Sequence, residues 1–452
     1  MTATGFTASA LSDAEHGRQL RRAVVAGTVG TIIEAYDFLL YVIVAPLVFA
    51  NLYFPSSEPL AGTLQAFGIY AVGFVARPVG AALFGHYGDR IGRKVTLIAT
   101  LLLTGLSTFA VGFVPGYATI GIWGAVILTA VRFIQGLGIG GEWGGATLIA
   151  MEWARTNAHR GFITSWPQWG GPAGLFLANV VVLIFSAISG DQFLVWGWRV
   201  PFWLSIVMVG IGLWIRLGIL ETPVFRRIIE ERRIERTPVV EVIKHQPKQI
   251  ILTALCRMAE QGPFYVYAAF VFVYGTKVSG ASRDFLLTAL LVATALSAVT
   301  IPLSGYISDR IGRKRMYLIG AVSVGVFAFV YFAMMNSMVP GLIFLAIVLS
   351  FVPHDMMYGP QAALIAECFA PRLRYSGSSL GFHLASIVAG GPAPLIATAL
   401  FAATGSGYAV AIYIAFCAVV SISATALLPD YTNRDISQEH GATGMLRQAA
   451  DG

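Results

Sequence analysis

The sequence predicts an all-α membrane protein of twelve transmembrane helices arranged as two six-helix bundles. Three observations carry that expectation: the apolar share of the chain, the spacing of its apolar runs, and one charged loop that occurs twice. Of 452 residues, 56% are hydrophobic and only 12% charged, and the mean hydropathy is +0.73. A soluble fold this apolar lacks the polar surface to face water. The same composition excludes a disordered chain. The three cysteines, Cys256, Cys368 and Cys417, each lie in or beside an apolar run, which argues against an extracellular disulfide scaffold.

A helix rising about 1.5 Å per residue needs about 20 apolar residues to cross a bilayer core. Twelve runs meet that length: 23–50, 61–86, 94–114, 119–151, 161–186, 199–220, 249–275, 284–308, 315–338, 341–368, 376–404 and 407–428. Residues 1–22 read as a polar tail ending in Arg18, Arg21 and Arg22, and the run after them is too long for a signal-peptide core. The longest connection, 221–248, divides the spans into 23–220 and 249–428, and 429–452 form a second tail. Its bases and acids, such as Arg226, Arg227, Glu230 and Glu231, recur three to four apart, the spacing of short solvated helices.

Basic residues are distributed unevenly. Of 30 Lys and Arg, 23 fall in the tails and in the loops after even-numbered spans. Three, Arg199, Lys277 and Arg283, fall in loops after odd-numbered spans, and Arg77, Arg132, Arg216 and Arg257 lie within or at the edge of spans. The positive-inside rule then puts both termini in the cytoplasm. The net charge of +7 faces anionic lipid head groups and does not imply a nucleic-acid partner.

The loop after span 2, residues 85–94, reads GHYGDRIGRK, and that after span 8, residues 305–314, reads GYISDRIGRK. Seven of ten positions are identical at an offset of 220. A weaker pair follows: Glu152 and Arg160 flank the end of span 4, as Glu367 and Arg374 flank that of span 10. The halves are therefore parallel repeats, the symmetry expected of two bundles with a site between them near the membrane midplane. In each loop the Asp is suited to accept from backbone N–H groups at a neighbouring helix N-terminus.

This G-x-x-x-D-R-x-G-R-[RK] loop resembles the signature of the major facilitator superfamily. The resemblance implies a gating latch at Gly85, Asp89, Arg90, Gly92 and Arg93 and at Gly305, Asp309, Arg310, Gly312 and Arg313. Further stretches narrow it: Glu34-Ala35-Tyr36-Asp37-Phe38, Arg77-Pro78, Arg132 through Gln135-Gly136, Gly140 through Gly144, Trp198-Arg199, Glu221-Thr222-Pro223 and Gly390-Gly391-Pro392. Together these resemble the metabolite:proton symporter family, whose carriers take α-ketoglutarate, citrate, shikimate or proline and betaine. The likeness runs from about residue 20 to 428. Ala35 stands where the family commonly has an aromatic.

Ionisable groups at membrane depth are costly and mark functional sites. Glu34 and Asp37 are three apart and share a face of span 1; two carboxyls so close resist ionising together, which suits a proton carrier. Arg132 and Glu142 in span 4 are further proton-coupling candidates, Arg132 by its match to a superfamily motif. Arg77 has the planar fork to clamp a carboxylate, and the resemblance implies a substrate-recognition role for it. Tyr41, Gln135, Arg257, Tyr265, His354 and Asp355 complete the expected substrate site. Arg257 and Glu260 are three apart in span 7, a spacing that suits a simple pair, and His383 reads as a packing residue.

No nucleophile–base constellation, Walker-type phosphate loop or Cys/His metal spacing is present, so neither an enzyme, nor ATP drive, nor a cofactor beyond the coupling proton is expected. The resemblance implies a multi-pass carrier of the bacterial cytoplasmic membrane; the sequence leaves its oligomeric state open, with a monomer as the default expectation. Its expected partners are the lipid bilayer and a small carboxylate, shikimate-like, di- or tricarboxylic or aromatic. A zwitterion symporter and a drug antiporter are the alternatives. Osmosensing relatives tend to carry a long C-terminal coiled coil, and the tail after Pro429 has no heptads.

Overall fold

Ser12 starts the first helix: its hydroxyl accepts from the Glu15 backbone N–H (3.2 Å), with Asp13 and Glu15 favourably placed in the first turn. From there a computed structural model describes residues 12–154, 159–218 and 238–434, and its membrane passes are all helical. In chain order they are α1 (Asp13–Val44), α2 (Pro59–Ile91), α3 (Arg93–Val111), α4 (Trp123–Glu152), α5 (Arg160–Ser189) and α6 (Arg199–Leu217). After a short helix at Pro238–His245 come α7 (247–277), α8 (Arg283–Ile311), α9 (Arg313–Met335), α10 (Pro340–Ala366), α11 (Pro371–Thr404) and α12 (Gly407–Leu427). Eleven are long and apolar enough to cross a bilayer, and the twelfth, α7, is interrupted. Most of the charged connection, 219–237, with Glu221, Thr222, Pro223, Arg226, Arg227, Glu230 and Glu231, lies outside the described residues. So do 1–11, 155–158 and the tail beyond residue 434.

The interruption of α7 falls at Arg257. Pro247–Cys256 is regular, Arg257 steps out of the ladder, and Met258–Tyr265 resumes it around Pro263. A π turn at Val266–Phe270 then widens the helix before Val271–Lys277. Proline removes one ladder N–H, and π turns gather where a helix serves a site. A π turn at Ala45–Phe49 takes the equivalent place after α1, and a third, Ser386–Gly390, precedes Gly391-Pro392 in α11.

In the first bundle α1 packs on α5 and α4 on both α2 and α3; in the second, α10 packs on α8 and α9, and α9 on α12. The glycines of α4 set the closest approach. A Cβ at Gly136 or Gly140 would run into the α2 backbone at Gly73 or Arg77. The bundles meet where α2 packs on α11 and α5 on α8 and α10.

Both copies of the loop turn on a glycine that no other residue replaces without strain: Gly92 has φ 114° and Gly312 φ 103°. The lysine two positions on ties down the last helix of its own bundle. Lys94 Nζ donates to the Leu217 carbonyl (2.9 Å), and Lys314 Nζ to those of Ala426 and Leu428 (2.7 and 2.8 Å). Gly92→Ala and Gly312→Ala are each expected to destabilise the protein by about 1–2 kcal/mol. A thermal melt of the detergent-solubilised protein would show this as a fall of a few degrees. Gly68→Ala, where a Cβ meets nothing within 4 Å, is the control expected to cause none.

Candidate functional site: a latched cavity between two bundles

At the face of the molecule that carries the repeated loops, each aspartate reaches across to the other bundle. The Asp89 carboxylate at the end of α2 accepts from Ser376 N (3.0 Å) and Ser376 Oγ (2.7 Å) at the start of α11. The Asp309 carboxylate at the end of α8 accepts from Gly161 N and Phe162 N (both 2.9 Å) at the start of α5. First-turn N–H groups have no intrahelical partner and carry the positive end of the helix dipole, so a carboxylate completes them. The loop glycines permit the approach: a Cβ at Gly85 would stand 3.1 Å from Ser376 Cα, and one at Gly305 would stand 2.7 Å from the Gly161 carbonyl.

The arginine behind each aspartate holds it. Arg93 pairs with Asp89 (3.4 Å) and Glu152 (3.6 Å), and Arg313 with Asp309 (3.0 Å) and Glu367 (2.8 Å). Arg160 adds a bridge between bundles to Glu367 (3.4 Å). Burial raises the Glu367 carboxyl above its ordinary range, and Arg313 and Arg160 oppose that rise. Arg90 and Arg310, expected in the latch, are not part of it. Both are exposed and bond along their own helices, to His86 and to Tyr306. The residue one position after the latching Asp turns outward from the helix face that Asp presents, while Arg93 and Arg313, one turn on, return to it.

Beneath the latch lies a cavity walled by both bundles. The first contributes Thr31, Glu34, Ala35, Phe38 and Leu39 of α1, Arg77 of α2, Trp143 of α4, and Gly171 and Pro172 of α5. The second contributes Arg257, Glu260, Gln261, Phe264 and Tyr265 of α7, His354 and Tyr358 of α10, and Phe382 of α11. Its volume is about 70 Å³, room for roughly five waters at ~10–15 Å³ each. Toward the latch, Trp143 stacks on Phe382 (centroids 3.7 Å apart) and donates to Gln168 Oε1 (2.7 Å), which bonds on to Gln361 across the bundles. On the opposite side Phe74 and Tyr70 of α2 pack edge-on to Tyr265, and Phe74 lies against Gly390 and Gly391. Farther out, Arg283 of α8 sits over the Phe193 ring of the first bundle. Contacts between the bundles thus close the cavity from both faces.

The charged groups of this wall differ in their commitments. Arg77 lies between two rings, 4.0 Å from the Phe38 centroid and 4.3 Å from that of Phe74, and makes no ion pair among the described residues. The Tyr265 hydroxyl lies beside it, and it and Arg216 are the cations that act on Glu34. Glu34 Oε2 is buried without a hydrogen bond. Arg257 is paired with Glu260 (2.9 Å) and donates to the Phe382 carbonyl. His354 stands between Asp355 (Nδ1, 2.9 Å) and Glu260 (Nε2, 3.6 Å).

Six expected site residues stand elsewhere than on the cavity wall. Tyr41 is fully buried one turn past its closed end, donating to the Ala66 carbonyl (3.2 Å) with Arg132 stacked on its ring. Gln135 faces α3 and α1, donating to Thr108 Oγ1 (2.6 Å) and to the Asp37 carbonyl (3.2 Å) and accepting from Arg132. Asp355 lies behind His354 and accepts from Thr300. Arg132 and Asp37 stay inside the first bundle, and Glu142 is tied to Arg216 and to Thr100 Oγ1 (2.8 Å). The glycine side of α4 abuts α2, which turns its polar side inward to α1 and α3. A small void bordered by Glu34, Asp37 and Glu142 nevertheless gathers three acids, and Glu34 alone belongs to both void and cavity. The roles of Glu260, Gln168 and Gln361 were not foreseen. The i, i+3 pairing of Arg257 and Glu260 was the sole sequence signal toward them.

Two pseudo-symmetric six-helix bundles, latched at one face around a central polar cavity, define a secondary transporter. The chain belongs to the Major Facilitator Superfamily, whose model matches residues 27–389 and 276–444. It is 38% identical to the shikimate transporter of Escherichia coli (strain K12), over 91% of this chain and 94% of that protein. It is 37% identical to the inner membrane metabolite transport protein YhjE of the same organism, over 91% and 94%, and 30% identical to its proline/betaine transporter, over 96% and 88%. Among solved structures, the proton:xylose symporter XylE bound to a bromodeoxyglucose shares the fold, with a TM-score of 0.75 at 17% identity over 94% of this chain and 98% of that one. The protein is thus a multi-pass membrane transporter of small molecules and not an enzyme.

Proposed function

We propose that this chain is a proton-coupled symporter that imports a small organic acid across a bacterial inner membrane, with both termini cytoplasmic. The observation that carries the reading is Arg77, a guanidinium in a closed cavity whose acid partner is Glu34 rather than a bonded carboxylate. A proton on Glu34 frees that positive charge, and a substrate carboxylate takes it up through the planar fork. Proton and anion then load together, and neither alone leaves the site balanced. The bundles rock about the loaded cavity: the Phe74 and Tyr265 contacts part on the outside, and the Asp89 and Asp309 latches part on the inside. The bias of 23 of 30 basic residues to one side supports the orientation. The bacterial relatives named above support the membrane.

The test is uptake of labelled organic acids into proteoliposomes under an inward proton gradient. At least one acid is expected to accumulate, and a protonophore is expected to abolish the accumulation. Glu34→Gln is expected to lose accumulation while retaining exchange of substrate against substrate. Accumulation of proline or betaine with no acid transported would replace this reading with zwitterion symport, which the aromatic wall would serve through cation–π contact.

A further inference from the structure

The two arginines of the cavity wall have opposite commitments, and this sets how many carboxylates the cavity holds. Arg77 has its faces covered by Phe38 and Phe74, and its Nε makes no hydrogen bond. Rings hold the guanidinium plane without using its N–H edge, which meets the neutral Tyr265 hydroxyl and no carboxylate. Arg257 makes no hydrogen bond through its Nε either, but both of its terminal nitrogens are taken. Its terminal nitrogens go to Glu260 (2.9 Å) and to the Phe382 carbonyl, and its plane lies on the Phe382 ring, 3.2 Å from the centroid.

Glu260 is itself fixed. Besides Arg257 it accepts from Gln361 Nε2 (3.0 Å) and faces His354 Nε2 (3.6 Å), whose other nitrogen is on Asp355 (2.9 Å). Gln361 is anchored in turn to the Tyr317 hydroxyl (3.2 Å). Arg257, Glu260, His354 and Asp355 thus form a cluster of mutually paired charges, held further by Phe382, Gln361 and Thr300, on the far wall from Arg77. A second substrate carboxylate would meet no uncommitted cation there and would have the Glu260 carboxylate opposite it. A buried carboxylate without a partner is strongly disfavoured.

We infer that the cavity binds its substrate through one carboxylate only, on Arg77, and that Glu260 enforces this by holding Arg257 away from anions. The substrate is then a monocarboxylic acid whose remaining body is neutral, with hydroxyl groups or a ring to meet Gln261, Tyr358 and the aromatic wall. Di- and tricarboxylates are rejected. This inference rests on the organic-acid symport reading. It adds that one proton accompanies one monoanion, so that the transported pair carries no net charge.

The experiment compares the reconstituted wild-type chain on cyclic and aromatic monocarboxylates (shikimate, quinate, benzoate, 4-hydroxybenzoate) with succinate, 2-oxoglutarate and citrate. The potential is clamped with potassium and valinomycin. A monocarboxylate is expected to exceed every di- and tricarboxylate in kcat/KM by roughly 100-fold or more. Its uptake is expected to follow the pH gradient and ignore the clamped potential. In Glu260→Gln, the ratio of dicarboxylate to monocarboxylate uptake is expected to rise at least tenfold. An unchanged ratio in folded Glu260→Gln overturns the role of Glu260. If that variant does not fold, competition by succinate for monocarboxylate binding to the purified wild type decides instead. Competition at similar concentration overturns the inference, and its absence upholds it. Wild-type uptake of a di- or tricarboxylate on a par with monocarboxylates also overturns it while leaving acid symport intact. Transport of betaine or proline and of no acid overturns the parent reading and this inference with it.

Discussion

Arg77→Lys is expected to lower the kcat/KM for acid uptake by roughly 100-fold or more, although it keeps the positive charge. The lysine ammonium is a compact point charge that cannot fill the slot between Phe38 and Phe74 or present two parallel N–H groups to a carboxylate. A buried hydrogen-bonded charge pair that loses its geometry costs about 2–5 kcal/mol at a binding site. The conservative variant also separates two roles. If Arg77 merely balanced Glu34, lysine would serve nearly as well, and uptake would fall little. Initial uptake rates in proteoliposomes would show the difference. A thermal melt close to that of wild type would establish that the loss is not misfolding.

Asp89→Asn combined with Asp309→Asn is expected to open the latch face. Each aspartate accepts two hydrogen bonds from the opposite bundle at 2.7–3.0 Å. Hydrogen bonds to a charged group contribute about 1.5–3 kcal/mol each. An asparagine keeps one acceptor oxygen and turns an amide donor toward the remaining N–H. Two latches weakened by about 1–2 kcal/mol each shift a two-state equilibrium by roughly 30-fold or more. Spin labels on Arg90→Cys and Arg310→Cys report the change, since both side chains are exposed on equivalent helix ends in opposite bundles. The three native cysteines are buried and so contribute little background. Double electron–electron resonance is expected to show a longer distance in the Asn/Asn background and an intermediate population in either single variant. An unchanged distribution would mean that the Trp143–Phe382 stack and the Gln168–Gln361 bridge hold this face without the aspartates.

Much of the architecture was legible from residues alone, because a bilayer leaves the chain few options. Every backbone polar group must be satisfied within a span, so apolar length alone dictates a helix. The repeated loop then gave the two halves and even the chemistry of its aspartates, since a carboxylate beside an open helix N-terminus is a local matter. The interruption of α7 was not legible: it falls at Arg257, while the helix runs on through Gly262 and Pro263 to the π turn.

What the sequence determined by itself was the number of passes, the two-fold repeat, the latch and a short roster of charges at membrane depth. Tertiary structure alone decided which of those charges meet the cavity. Helical periodicity fixes which residues share a face, but it carries no information on which neighbour that face meets. Tyr41, Gln135 and Glu142 therefore read as site residues, yet they turn into the first bundle or lie past the cavity's closed end. Glu260 and Phe382, 122 residues apart, commit Arg257 only because α7 and α11 pack together. Arg77 stays clear of a paired carboxylate because rings and the Tyr265 hydroxyl flank it. Whether a buried charge is available or spent depends on contacts a few ångströms across between segments far apart in the chain, and those exist only once the bundles have formed.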